Sequence, residues 1–171
     1  VASLNNHAIA LRMTENSTQY YSRVRWSHPY SFGGVYNTEP TTWDDTRLDS
    51  QADYVDLHDD GERIVDAVNL GDDLFIYKRN STWRMSYVGG DSIFAFRKIF
   101  NVGAVGLNCT VDIGGRHVVL TYDDIIMHDG VSIQSIATER VRRKILDNYL
   151  SGAARAFHHK RNSEVVFTLN G

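Results

Sequence analysis

The chain has 171 residues, enough for one substantial domain, and its 42% apolar and 11% aromatic content allows a buried core. A formal net charge of -3 argues against a strongly basic nucleic-acid-binding surface, and a single cysteine excludes an intrachain disulfide. No apolar run reaches the roughly 18 to 20 residues of a membrane helix, so we expect a soluble protein without direct membrane insertion. Because the chain starts at Val1 and ends in a strand-like stretch, we expect it to be a fragment of a longer protein.

An approximate repeat predicts the fold. Three segments each contain an apolar residue, three turn-forming residues and a mostly apolar strand: Leu4–Leu11, Leu70–Tyr77 and Ile113–Leu120. The second and third segments start 43 residues apart, and in both a further apolar cluster begins 13 residues after the first residue. A period in the low forties is typical of a four-stranded propeller blade. We therefore predict a mainly β chain of repeated four-stranded antiparallel blades, a β-propeller or propeller fragment with one short helix, over residues 1–171.

The first 63 residues contain a predicted hairpin and an irregular segment. We predict strands at Ala8–Leu11 and Tyr20–Trp26, and the second contains large residues with high β-propensity. A turn at Asn16–Ser17 would join them. Residues 28–63 contain both prolines, a Gly-Gly pair and an acidic stretch, which interrupt any regular period. We interpret this second segment as a long excursion between blades.

The central part of the chain returns to strands and turns. Ile64–Met85 predicts strand, turn and strand, and the unbroken apolar run Leu74–Tyr77 indicates a strand buried on both faces. Lys78–Ser81 would form the turn. Glycine-spaced bends at Asn101–Gly106 then lead to a further unit that begins over Val111–Met127.

One helix is predicted over residues 139–150, because Val141, Ile145 and Tyr149 recur at helical spacing. Thr138 is its candidate N-cap. The basic residues between Arg140 and Lys144 would lie mostly on the opposite face of the helix. We interpret this face as solvent-exposed, and binding of an acidic partner is the alternative. The chain then closes with a hairpin that has strands at Ala156–His159 and Val165–Leu169.

No catalytic, cofactor-binding or metal-binding residue is predicted. The segment Asp56–Gly61 resembles the start of a calcium loop, but His58 and Ala67 replace required ligands, so we interpret it as a solvated turn. The seven histidines lack the spacing of a zinc site. Adjacent carboxylates could in principle serve glycoside hydrolysis, but we expect them to occupy turns: Asp44–Asp45, Asp59–Asp60, Asp72–Asp73 and Asp123–Asp124.

Three stretches together resemble a known family, the β-propeller tail proteins of tailed bacteriophages, and especially the nozzle, or tail tubular protein B, type of short-tailed phages. The resemblance spans roughly residues 23–170 and includes the short helix. Its motifs are structural rather than catalytic. The stretches that carry it are Arg23–Ser27 with Trp43 and Ala52–Asp53, then Ile64–Val68 with Ile76–Gly90, and finally Asp112–Gly115 with Met127–Gly130 and Ile136.

The resemblance implies a non-enzymatic structural protein of the virion, assembled in the host cytoplasm and located in the phage tail. It implies a homo-oligomer, usually a hexameric ring, that contacts portal-adaptor and other tail proteins. DNA would cross the central channel only as transient cargo during ejection. A mildly acidic chain suits such a conduit, because it would not grip a polyanion through counterion release.

Two other functions stay open. A carbohydrate-binding or hydrolysing propeller, such as a receptor-binding tail fibre, would use aromatic platforms: Tyr20, Tyr30, Phe32, Tyr36 and Trp43. An intracellular scaffold propeller is the third possibility. For the core we predict five large apolar residues, each in a predicted strand: Trp26, Phe75, Trp83, Phe94 and Phe167.

Overall fold

The computed structural model describes residues 1–30, 40–46, 48, 50–148 and 154–169. In these residues the chain forms four antiparallel sheets and one α-helix. The first sheet consists of β1 (Ala2–Leu4), β2 (His7–Glu15), β3 (Thr18–Trp26) and β4 (Asp53–Asp56). The second sheet consists of β5 (Ile64–Leu70), β6 (Asp73–Lys78), β7 (Thr82–Tyr87) and β8 (Phe94–Phe100).

The third sheet has the same organisation, and the fourth is a hairpin. The third consists of β9 (Thr110–Asp112), β10 (His117–Leu120), β11 (Ile125–His128) and β12 (Ile133–Ser135). Helix α1 (Glu139–Asn148) follows it, and β13 (Arg155–His159) with β14 (Glu164–Thr168) forms the fourth sheet. In every sheet each strand pairs with the next strand along the chain, so all four are up-and-down meanders.

The three repeated segments occupy equivalent places in the first three sheets. Each one spans the turn between the first and second strands of its sheet. Asn5 and Asn6 adopt φ values of 44° and 64°, and Gly71 adopts 60°, the left-handed region that tight hairpin turns require. The predicted repeat is therefore confirmed as a succession of antiparallel hairpin units.

The second sheet lies between two hydrophobic clusters. Leu74 and Ile76 of β6 belong to a cluster with residues of the first sheet, including Trp26. Phe75 and Tyr77 belong to the other cluster, with residues of the third sheet and α1. Because neighbouring side chains on a strand point to opposite faces, the apolar run of β6 is buried on both faces, as predicted.

The first strands of successive sheets are also neighbours. β5 contacts β1 on one side and β9 on the other, and β13 contacts β9 in turn. The four sheets therefore follow one another through contacts that include their first strands, and within the described residues the fourth strand of each of the first three sheets is an edge strand.

The structure changes several of the sequence-based boundaries. A fourth strand, β4, lies inside the segment 28–63 that was expected to be irregular, because Tyr54 and Val55 allow pairing with β3. A short 3₁₀ helix covers Pro40–Trp43 in the same segment. Helix α1 is described to Asn148, so the remaining predicted helical residues, 149–150, lie outside the described residues. On α1, Ile145 is buried as expected, whereas Val141 is exposed.

The predicted core is confirmed for three of its five residues. Trp26, Phe75 and Phe94 are buried. Trp83 and Phe167 are half-buried and pack against the two clusters from their margins.

Candidate functional site

The most extensive buried polar cluster lies where the second sheet meets the third. The hydroxyl of Tyr77 on β6 is 2.7 Å from Nδ1 of His117 and 2.6 Å from Nε2 of His128. The two histidines face each other as a direct cross-strand pair of β10 and β11. All three side chains are at most 2% exposed. Phe75 contacts the rings of both histidines in edge-on or tilted geometry, and Phe100 contacts His128.

The outer hydrogen bonds of this cluster determine the position of each proton. The backbone N–H of Gly130 donates to Nδ1 of His128 at 3.2 Å, so the ring proton of His128 lies on Nε2 and is donated to Tyr77. Nε2 of His117 is 3.0 Å from the carbonyl oxygen of Asn69, which can only accept. His117 therefore carries its proton on Nε2, and its Nδ1 accepts the hydroxyl proton of Tyr77. The result is one directional chain of neutral groups in which every ring nitrogen is satisfied.

The electrostatic surroundings favour these neutral forms. Burial lowers the pKa of His128 to about 4 and also lowers the pKa of His117. Burial, followed by the nearby charge of Asp66, raises the pKa of Tyr77 well above its ordinary value. The hydroxyl of Tyr77 therefore stays protonated at neutral pH, and through its two hydrogen bonds it joins the second and third sheets.

A second polar cluster joins the segment after β4 to the second sheet. Lys78 is fully buried, and its ammonium donates to the carbonyl oxygen of Leu57 at 2.6 Å and to the carboxylate of Asp60. The hydroxyl of Ser81 donates to the other oxygen of Asp60. The buried charge of Lys78 is thus paired and hydrogen-bonded, as burial of an ammonium group requires.

A third cluster holds the first sheet together across three strands. Arg23 on β3 makes a bidentate contact with Asp56 on β4, at 2.9 and 2.7 Å, and reaches Glu15 on β2 at 2.9 Å. Its guanidinium lies between the rings of Tyr20 and Tyr54, at 3.6 and 3.9 Å from their centroids. Hydrogen bonds from Arg23 hold the pKa of Asp56 below its ordinary value.

These contacts correct one part of the interpretation of Asp56–Gly61 as a solvated turn: Asp59 and Asp60 do form a turn, but Asp56 and Asp60 are held in ion pairs. Asp56 and Asp60 are partners of Arg23 and Lys78, two cations that lie far away in sequence. Each pair of adjacent carboxylates has at least one member at a turn or bend, as predicted: Asp45, Asp59–Asp60, Asp72 and Asp123. Among the residues that the structure describes, no group of three or more histidine, cysteine or acidic residues could hold a metal ion.

Of the five proposed sugar-binding aromatics, the structure describes Tyr20, Tyr30 and Trp43. The ring of Tyr20 is covered by Arg23, and Trp43 is half-buried. Phe32 and Tyr36 lie outside the described residues. Cys109 is buried, and burial raises the pKa of its thiol to about 11, so it does not supply a thiolate nucleophile.

Two open polar grooves lie at the surface near the first and second sheets. One, of about 690 Å³, lies between the first hairpin turns of these sheets and is lined by residues including Asn5, Asn69 and Tyr87. The other, of about 680 Å³, includes Asp53, Tyr54 and Asp91. Both grooves are lined mainly by polar and acidic side chains.

No protein-family model matches this chain, and a search of curated proteins found no match. In the described part of the chain, no helix is long and apolar enough to cross a bilayer. The histidine pair was missed by sequence reasoning because its members are eleven positions apart, outside metal-ligand spacings. The hairpin register from the turn after Leu120 would have placed them opposite each other.

Proposed function

We propose that this protein is a structural, non-enzymatic virion component of a bacteriophage tail, of the nozzle or hub type. In this proposal its sheets are blades of a β-propeller arranged around an axis, and copies of the chain form a ring around the DNA ejection conduit. The protein contacts portal-adaptor and other tail proteins, and DNA passes through without being held.

The observation that carries the proposal is the succession of meander sheets with adjacent first strands. β1, β5, β9 and β13 are neighbours in that order, which is the arrangement that blades adopt around a propeller axis. Each of the first three sheets also begins with the same turn pattern. The resemblance of residues 23–170 to tail nozzle proteins adds the functional part of the proposal.

The polar clusters favour a structural role over a catalytic one. Two hydrogen-bonded clusters connect neighbouring parts of the chain. One is Tyr77 with its two histidines, and the other is Lys78 with Asp60. Such paired networks favour one packing arrangement because any shift leaves buried polar groups unsatisfied. A tail conduit that transmits DNA benefits from that rigidity.

The test is quantitative peptide mass spectrometry on purified phage particles from the source, with this chain counted against the portal protein. About half the portal count is expected for a hexameric nozzle or hub. Absence from the particles would overturn the proposal. A matched non-virion protein of the same infected cells serves as the control for carry-over.

The second candidate is a carbohydrate-binding, receptor-recognising tail protein. The groove that contains Asp53, Tyr54 and Asp91 favours it, because its carboxylates suit sugar hydroxyls and Tyr54 stays 40% exposed, although Arg23 covers one face of its ring. Binding of host cell-surface polysaccharide, lost in Tyr54→Ala but kept in Tyr87→Ala, would support this candidate. Equal loss in both variants, or no binding, would remove it.

A further inference from the structure

The third sheet has an open outer edge at β12 (Ile133–Ser135), its fourth strand, which has no further partner strand among the described residues. The backbone N–H of Ile136 donates to the carbonyl oxygen of Ile125 at 2.9 Å, so the backbone groups of Ile136 face β11. Because these groups alternate in direction along an antiparallel strand, those of Ile133 and Ser135 are directed away from β11. A complete four-stranded sheet thus presents two residues whose N–H and C=O groups face outward.

This edge lacks the protection found on the fourth strands of the first two sheets. On β4 the N–H of Tyr54 donates to the carboxylate of Asp53 at 2.7 Å, which occupies an edge donor. β8 carries the cations Arg97 and Lys98. The three residues of β12 are exposed and include neither a charge nor a proline. Natural sheet edges that stay unpaired are usually blunted by such devices.

Exposed apolar side chains accompany this edge. Large apolar residues are exposed on β12, on either side of it in the chain and on the first turn of α1: Val131, Ile133, Ile136 and Val141. A strand that paired with β12 would therefore cover apolar surface in addition to forming backbone hydrogen bonds.

The C-terminal end of β12 lies beside a basic surface. Arg142 of α1 donates to the hydroxyl of Ser135 at 2.6 Å and to the carboxylate of Asp124 at 3.2 Å, which holds the helix next to this end of the strand. Arg140 and Arg143 are exposed on the same helix. Residues 139–144 contain four cations and one carboxylate, in a chain whose net charge is -3. A partner that reaches this end is therefore complementary if it carries acidic groups.

We propose that β12 is a docking edge for an extended segment of another protein, which pairs antiparallel with it and carries acidic side chains in its N-terminal half. Antiparallel pairing is the more stable ladder, and it places the N-terminal half of the segment beside the C-terminal end of β12 and the cations of α1. Main-chain hydrogen bonds supply the affinity, and the charges supply the direction of binding. The inference goes beyond the proposed function and does not rest on it.

The fourth strands of this chain itself fit the edge less well than a separate protein. β4 has an aspartate at each end, but the edge N–H of Tyr54 is already bonded to Asp53. β8 would add Arg97 and Lys98 to the cations of α1, and β12 contains no carboxylate. We therefore assign the edge to a partner protein and make self-association an outcome of the test.

The experiment is fluorescence anisotropy with a labelled synthetic peptide of eight residues and blocked termini, which has three glutamates in its N-terminal half and alternating valine and threonine in its C-terminal half. We expect saturable binding below about 1 mM, since one strand pairing gives modest affinity. A peptide with the same residues in reverse order carries its acidic half at the other end. It should bind at least about fivefold more weakly, because its glutamates lie away from α1.

Two variants separate backbone pairing from side-chain contact. Ile133→Pro removes an outward-directed N–H without removing a ladder bond to β11, so it should weaken peptide binding at least about tenfold. Ile133→Ala shortens the same side chain but keeps the N–H, and it should bind within a few-fold of the unaltered chain. Circular dichroism of both variants checks that the fold is kept.

A charge variant keeps the test decisive if the proline variant does not fold. Arg140→Glu combined with Arg143→Glu changes two exposed side chains, and it should remove the preference for the peptide with the acidic N-terminal half. Absence of saturable binding, or binding that is indifferent to both the proline and the charge variants, would overturn the proposal. Self-association in sedimentation equilibrium that is lost in Ile133→Pro would assign the edge to a second copy and would also overturn it.

Discussion

Tyr77 and His128 share a hydrogen bond of 2.6 Å across the junction of the second and third sheets, although they lie 51 positions apart. The hydroxyl accepts from His128 and donates to His117, so it is the middle member of a chain that crosses the junction. Its removal would leave a buried donor and a buried acceptor without partners. The stability of the junction therefore depends on the hydroxyl oxygen of Tyr77.

We expect Tyr77→Phe to lower the free energy of unfolding by about 2–4 kcal/mol, since each unsatisfied buried group costs about 1–3 kcal/mol. Urea denaturation at pH 7 measures the loss. Tyr87→Phe is the matched control because Tyr87 is 43% exposed, and its effect should stay below about 0.5 kcal/mol. Equal effects of the two substitutions would contradict the directional chain.

The same chain predicts a pH dependence of stability. His128 has an ordinary pKa of 6.5 and a pKa of about 4 in the folded protein, so below pH 6.5 the unfolded chain binds more protons. The free energy of unfolding should therefore fall as the pH falls from about 6.5 to 4, by about 3 kcal/mol from this group. Above pH 6.5 the group contributes no pH dependence.

His128→Gln isolates that contribution, because the amide can still donate to Tyr77 but does not titrate near pH 6. Denaturation of both proteins between pH 7 and 4 should show a shallower fall for the variant. Burial raises the pKa of Asp66, so this group makes the free energy of unfolding rise as the pH falls. Its contribution is the same in both proteins and cancels in the comparison. Parallel curves would show that His128 does not stay neutral in the folded state.

Lys78 and Lys98 offer a comparison of a buried and an exposed ion pair. Lys78→Met should cost about 3–5 kcal/mol, because it leaves Asp60 partly buried without its cation. Lys98 pairs with Asp59 at 3.1 Å on the surface, so Lys98→Met should cost less than about 1 kcal/mol. Thermal and urea denaturation measure both, and a similar cost for the two would mean that Lys78 is not desolvated.

Gly103 is expected to tolerate no side chain. A Cβ at this position would lie 1.9 Å from the carbonyl oxygen of Lys78, which is backbone and cannot move aside cheaply. Gly103→Ala should therefore destabilise by at least about 2 kcal/mol. Gly106→Ala is the control, since its Cβ would meet nothing within 4 Å. A neutral Gly103→Ala would show that the segment before β9 does not pack closely against β6.

Much of the local structure could be predicted because hairpin signals lie within a few residues. The turn at Asn16–Ser17 and the closing hairpin both occur where the sequence places them. β4 was missed because its four residues lie in a long acidic stretch. Its pairing partner, β3, also lies on the far side of a long intervening segment of the chain. The roles of Asp56 and Asp60 were missed for the same reason, because their cationic partners come from other strands.

The sequence by itself determined the repeated hairpins, the both-face burial of Leu74–Tyr77 and most of the large core residues, because turn chemistry and side-chain alternation act over short distances. Only the tertiary structure decided which polar groups meet. Tyr77, His117 and His128 become a single hydrogen-bonded chain when the second and third sheets stack, and Lys78 can be buried only where Asp60 arrives. A buried polar group without a partner destabilises the fold, and these groups lie where parts of the chain meet. Which partner each one finds therefore depends on how whole sheets pack.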